Sequence, residues 1–292
     1  MKLIDQRKVK REMIVRFRRN AFYKGIFALS TIFALLVLIM LLYRIVEEGI
    51  TYINIDFFIN FASRKPEKAG IAAALWGTIS LMGIVALISL ILGVGTAIYL
   101  EEYAKQTIFT KMITMNIQTL AGVPSVVFGL LGLTIFVYTL GLGSSILAGG
   151  LTMSLLVLPT IVVASQEALR AVPRHLLEAS YAVGATKWQT ISQIALPSSF
   201  SGIMTGCILS LSRAIGEAAP LLVIGALAFV NYLPTSVLDG FTVLPIQIFN
   251  WMGRPQEEFQ HVAAAGIIVL LLVLFIMNTI AALLRNKQQN RY

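Results

Sequence analysis

Apolar runs of twenty residues and more recur along this chain, and they constrain its fold more than any motif does. A helix needs about 20 such residues to cross the ~30 Å hydrocarbon layer of a bilayer. The sequence offers runs of at least that length at about 21–43, 70–100, 108–140, 146–168, 198–230 and 261–284. Short charged segments separate them. With 57% of 292 residues hydrophobic and 13% charged, the chain lies well outside the globular range. The reading is an all-α membrane protein of six transmembrane helices.

Charge then orients the spans. Nine Lys or Arg fall within residues 1–24, against Asp5 and Glu12. The first run is longer than a signal-peptide core and lacks a clear small-x-small cleavage site, so it is read as a retained span. With the amino terminus in the cytoplasm, six crossings put 17 of the 23 Lys and Arg on that side with six of the 14 acids. The outer loops take five and seven, and one of each lies within a span. This asymmetry follows the positive-inside rule and explains the formal charge of +9 without nucleic acid. Five or seven spans would place the 171–197 loop or the basic tail at 285–292 on the wrong side. Gly122, Pro124, Gly129 and Gly132 predict a bent or broken third span. The single Cys207 excludes an intrachain disulfide.

The polar stretch 171–197, AVPRHLLEASYAVGATKWQTISQIALP, is patterned as two short helices and a turn. Pro173 suits the start of the first, and Gly184 suits its left-handed stop. Thr186 with Gln189 forms a capping-box pattern for the second, which is expected to end at Leu196-Pro197. The order Glu178-Ala179-Ser180, three residues, Gly184, nine residues, Ile194, one residue, Leu196-Pro197 resembles the EAA motif of ABC-type importer membrane subunits, with Ser180 in place of the second alanine. In that family this loop is the coupling helix held by a cytoplasmic ATPase. The resemblance implies that role for Glu178, Ala179, Gly184, Ile194, Leu196 and Pro197.

The fifth run alone holds ionisable residues deep within apolar sequence: Arg213 and Glu217, four apart and so expected on one helical face. Arginine at mid-bilayer costs about 2.5–3.5 kcal/mol even on lenient insertion scales, so it must face protein or a wet cavity. Two readings stand. The pair neutralises itself and serves assembly, or the Arg213 fork addresses an oxyanion while Glu217 orients it and keeps the site weak. Pro220 is a candidate hinge. Ser198, Gly202, Gly206, Ser210, Ala214 and Ala218 form a small-residue stripe, expected to pack on a second permease or on span three.

Further stretches, AIYLEEY at 97–103, AGVPSVVFGLLG at 121–132, RAIGE at 213–217 and PIQIFNW at 245–251, look like the phosphate-importer permeases of the PstA family. Ala218 departs from the usual threonine there. This resemblance implies a type I importer permease (MetI-like) fold over 70–284, behind a basic segment at 1–20 and a first span and outer loop at 21–69. It also implies a PstC-like second permease, two PstB-like ATPase subunits, an extracytoplasmic phosphate-binding protein and inorganic phosphate as cargo, in the cell membrane of a bacterium or archaeon. Other oxyanions, sulfate or molybdate, share the coupling motif, and a passive anion channel would also use Arg213. No phosphate-binding GxxxxGK[ST] loop occurs, His175 and His261 are expected near opposite faces, and neither an enzyme activity nor a cofactor or metal is implied.

Overall fold

The computed structural model describes residues 6–289 except Gln106 and Ala228; Lys2, Asp5 and Arg291 of the two basic termini lie outside them. Helix α1 (Gln6–Gly49) is one rod of 44 residues. Every residue from Arg16 to Arg44 is exposed, and packing begins only near Gly49, where an added Cβ would lie 2.6 Å from the Ala265 backbone nitrogen. A short α2 (Ile55–Ile59), capped by Asn54 Oδ1 accepting from Phe57 N–H at 2.8 Å, leads to α3 (Ala72–Ile98). The end of α3 widens into a π turn, Tyr99–Tyr103.

The third span is broken. Helix α4 (Ile108–Leu120) stops at a turn over 121–124, and α5 (Ser125–Gly132) continues through a π segment, Leu133–Thr139, at 105° to it. At 1.5 Å per residue each half is too short to cross alone. The pair does cross, because α4 starts beside Leu100 and Arg170 while the π segment runs toward the Ser145 end. Helix α6 (Ile146–Arg170) is continuous through Pro159 and is the most buried span, packed by α3, α4, α5 and α9. Five helices long enough to span and this bent pair give the six crossings.

After α6 come α7 (Arg174–Ala182) and α8 (Lys187–Thr190). The expectation that the second loop helix ends at Leu196-Pro197 is not met. A π turn, Ile191–Ala195, carries α8 directly into α9 (Leu196–Ile215), so Lys187–Ile215 is one span of 29 residues. The wider turn gives the Pro197 ring room against the preceding carbonyls, where a regular helix would clash. Span five also ends earlier than the expected 230. Pro220 cannot supply the N–H that the Gly216 carbonyl would need, and the helix closes at Ile215. A turn at 216–218 leads to a five-residue α10 (Ala219–Val223), with Pro220 in its first turn, and then to irregular chain.

At two positions the small-residue stripe packs on span four rather than on span three. Gly202 and Gly206 face Ala168 and Ala164 of α6: a Cβ on Gly202 would come within 2.8 Å of the Ala168 methyl. At the far end α11 (Leu244–Met252) and the start of α12 (Glu258–Gln289) bury Trp251, Phe259 and Val262 against Phe57 and Ile71. Helix α12 returns antiparallel to α9, with Ser212 donating to Asn278 and Arg285 Nη1 to Thr205 Oγ1 at 3.1 Å. The described ends of α1 and α12 therefore lie at the same end of the bundle as residues 171–197.

Candidate functional site: a mid-depth break and a polar knob

Two regions concentrate the polar chemistry. The first lies at mid-depth, where spans three and five both lose their helices. Arg213, Ala214, Ser210 and Glu217 line a small cleft with Leu120, Ala121, Val123 and Ser125 of the third-span break and with Leu156, Val157 and Thr160, the middle of α6. Its volume is about 30 Å³, room for one or two waters. Behind it the backbones are in close contact, since a Cβ on Gly129 would meet Pro220 Cα at 2.9 Å.

Arg213 Nε stands 3.5 Å from Glu217 Oε1, longer than a charge-assisted hydrogen bond. The two do not share a helical face. Arg213 is in the last turn of α9, and Glu217 lies beyond it on the turn, held by its N–H to the Ala214 carbonyl at 3.1 Å. The Arg213 side chain is 72% exposed and that of Glu217 23%. An arginine so placed at mid-depth cannot be left to lipid. The face around it, α4 and the 121–124 turn, is likewise largely uncovered. Asn116 Nδ2 and the Thr119 hydroxyl on that face bond back to the Met112 and Met115 carbonyls at 2.8 Å each, which partly satisfies their polarity.

The second region is the 171–197 knob. Helix α7 ends at Val183 and Gly184, the latter at φ +84°, the left-handed stop expected of it. The capping box forms as read: Thr186 Oγ1 accepts from Gln189 N–H, and Gln189 Oε1 accepts from Thr186 N–H at 2.8 Å. Between the two arms, Ser180 and Thr190 are buried and share a hydroxyl hydrogen bond of 2.9 Å. Ala179 and Gly184 are exposed, Ile194 and Pro197 half-buried, and Leu196 packs on the main core. Glu178 lines a cleft of about 600 Å³ with Glu101, Glu102, Leu169, Arg170, Val172, Arg174 and Leu177.

Apart from Glu178, sequence reasoning assigned no role to the walls of that cleft. Arg170 Nε meets Glu101 Oε2 at 2.9 Å and its Nη1 meets Glu167 Oε1 at 3.3 Å, while Lys187 Nζ lies 5.0 Å from the Tyr103 ring centroid. The AIYLEEY stretch was the available signal, but nothing in its spacing says which later residues it meets. Pro220, the candidate hinge, is buried at the start of α10. His175 lies on α7 and His261 stacks on Tyr52 at the far end. No group of three or more His, Cys, Asp or Glu among the described residues is arranged to hold a metal.

Residues 89–290 match the family described as the binding-protein-dependent transport system inner membrane component. The phosphate transport system permease protein PstA 1 of Mycobacterium tuberculosis is 35% identical over 276 residues, covering 91% of this chain and 88% of that protein. A probable ABC transporter permease protein of Bacillus subtilis, YqgI, is 31% identical, covering 88% and 92%. Among solved structures, a chain of a bacterial alginate ABC transporter, in complex with an alginate pentasaccharide-bound periplasmic protein, superposes with a TM-score of 0.65 at 16% identity, covering 91% of this chain and 94% of that one. A chain of the MetNI methionine ABC transporter gives 0.60 at 16%, covering 75% and 95%.

Proposed function

Because this chain belongs to the binding-protein-dependent inner membrane transport components, and among them to the PstA permeases, we propose that it is the transmembrane permease subunit of an ATP-driven phosphate importer. The observation that carries this reading is Arg213, 72% exposed at mid-depth on a face where two spans are broken. A second, PstC-like permease covers that face and completes the path. The Arg213 fork, held loosely by Glu217, addresses the oxygens of phosphate, and Glu217 keeps binding weak enough for release. With about 30 Å³ free, the cleft admits the anion only when the 216–218 turn and the 121–124 turn part, and Pro220 marks where the second half of span five would pivot.

Membership of this family implies an ATPase and an extracytoplasmic binding protein as partners. The 171–197 knob is the part offered to the ATPase, with Glu178 and Gly184 seated in a groove of one of two PstB-like subunits. ATP hydrolysis then belongs to those subunits, and this chain changes which side the path opens to. The knob end and both described termini face the cytoplasm of a bacterium or archaeon, on the charge asymmetry of the loops.

The test is ATP-dependent uptake of labelled phosphate into vesicles holding the complex with its binding protein. Arg213→Ala is expected to lower uptake at least a hundredfold while the complex still assembles, and Glu178→Lys to weaken ATPase docking instead. Normal transport by Arg213→Ala would make the pair a structural one; accumulation of sulfate or molybdate in place of phosphate would refute the cargo and leave the importer.

A further inference from the structure

Three consecutive residues at the end of span two reach the knob and the residue that leads into it. Glu101 pairs with Arg170, the last residue of α6 before the loop. Glu102 stands in the cleft wall that also holds Glu178 of the first arm. Tyr103 lies under Lys187, the first residue of the second arm. Consecutive residues of a regular α-helix diverge too widely to do this together. Here they sit on a π turn, closed by Ala104 N–H to the Tyr99 carbonyl at 2.8 Å, whose wider winding turns each residue less from its neighbour. The Glu101 side chain is 19% exposed and Arg170 forks between it and Glu167, so the guanidinium is committed on two sides. Glu178, across the same cleft, has no hydrogen-bond or ion-pair partner among the described residues and is exposed.

We infer that residues 101–103 clamp the coupling knob so that it moves as one body with span two, and that Glu101 is a positioning residue that holds Arg170 away from Glu178, leaving that carboxylate free for the ATPase. The inference rests on the permease reading above and adds the route by which a push on the knob reaches the membrane. Span two packs along α6, whose middle lines the mid-depth cleft. A clamp that joins α3, α6 and both arms of the knob therefore links the ATPase contact to Arg213 without passing through the loops at the far end.

The experiment measures ATP hydrolysed per phosphate taken up by the full complex in vesicles, with its binding protein. Glu101→Gln and Arg170→Gln are each expected to raise that ratio severalfold with subunit composition unchanged, and the exchanged pair Glu101→Arg with Arg170→Glu to return it to within twofold of the native value. Because Tyr103 is exposed, Tyr103→Leu tests the second contact with little risk to folding and is expected to raise the ratio more modestly. Cysteines at 101 and 170 joined by a short thiol cross-linker are expected to restore the native ratio. An unchanged ratio in Glu101→Gln, or a cross-linked complex that no longer transports, overturns the clamp, since the second result would show that span two and the knob part during the cycle. Native uptake of phosphate is the separate control: its absence would refute the permease reading, whereas a normal native ratio with unresponsive variants would refute only the clamp.

Discussion

The knob and the mid-depth break are built on opposite plans. In the knob and at its base, Thr186 and Gln189 cap each other, Ser180 bonds Thr190, Arg170 holds two carboxylates and Lys187 rests on a ring. At the break, the one charged pair stands 3.5 Å apart, its cation is mostly exposed, and spans three and five are interrupted beside it. The contrast teaches where rigidity is useful in such a molecule. In the knob most polar groups are satisfied within the chain, Glu178 excepted; at the break the charged pair is only loosely joined. In the knob, a buried hydroxyl stripped of its partner costs about 1–3 kcal/mol.

The largest expected effect comes from tightening the seam that supports both regions. Gly206→Leu forces a side chain into the space of Ala164 and should destabilise the α6–α9 packing by about 1–3 kcal/mol or more, seen as loss of folded complex in a detergent thermal-stability assay. If the variant is as stable as the native chain, span five does not pack on span four as described. Next, Ser180→Ala alone should lower knob stability by about 1 kcal/mol through the unpaired Thr190 hydroxyl, and Ser180→Ala with Thr190→Val should recover most of it. A double-mutant cycle by hydrogen exchange across 174–190 decides this, and additive losses would mean that the two arms are not joined there.

How much of this could be read beforehand differs between the two regions. The knob was legible because its signals are local: glycine at a left-handed stop, a threonine and glutamine three apart, fixed motif spacing. The break was legible in span three, where Gly122 and Pro124 interrupt the run, but not in span five. There the sequence after Gly216 stays apolar, and hydropathy cannot distinguish a helix in lipid from irregular backbone buried against α5 and α6. Pro197 misled in the other direction, since a π turn absorbed it. The small-residue stripe told that some helix comes close without telling which; Ala164 and Ala168 on α6 decided that. First and fourth spans show the same limit, for both are long apolar runs, yet α1 is uncovered throughout its middle and α6 is mostly buried.

The smallest expected effect lies outside both regions and serves as their control. Asp239 accepts from the Ser236 and Thr235 N–H groups at 2.9 and 2.8 Å, and these bonds hold its carboxyl below the ordinary carboxylate range. A carboxyl whose value is lowered by folding lends its stability above the unfolded titration range and loses it as pH falls through the folded one. The amides of Thr235 and Ser236 should therefore exchange faster, relative to the chain's intrinsic rate, only as the pH drops into and below that range. Asp239→Asn should remove this pH dependence while leaving exchange in the knob unaltered. Exchange at the knob that follows Asp239 would mean that the far-end loop and the knob are coupled more directly than the packing suggests.

The position of Glu217 has one more consequence. A carboxylate four residues along an intact helix keeps a fixed distance from its arginine, and the pair looks neutral from afar at all times. Glu217 instead hangs on a turn after the helix has closed, so the separation is a property of three backbone residues rather than of a helical repeat. Swinging that turn would change the field of the cleft from that of a dipole toward that of a single positive charge, at the expense of the bond from Glu217 N–H to the Ala214 carbonyl. The potential in the cleft therefore follows the torsions of the 216–218 turn.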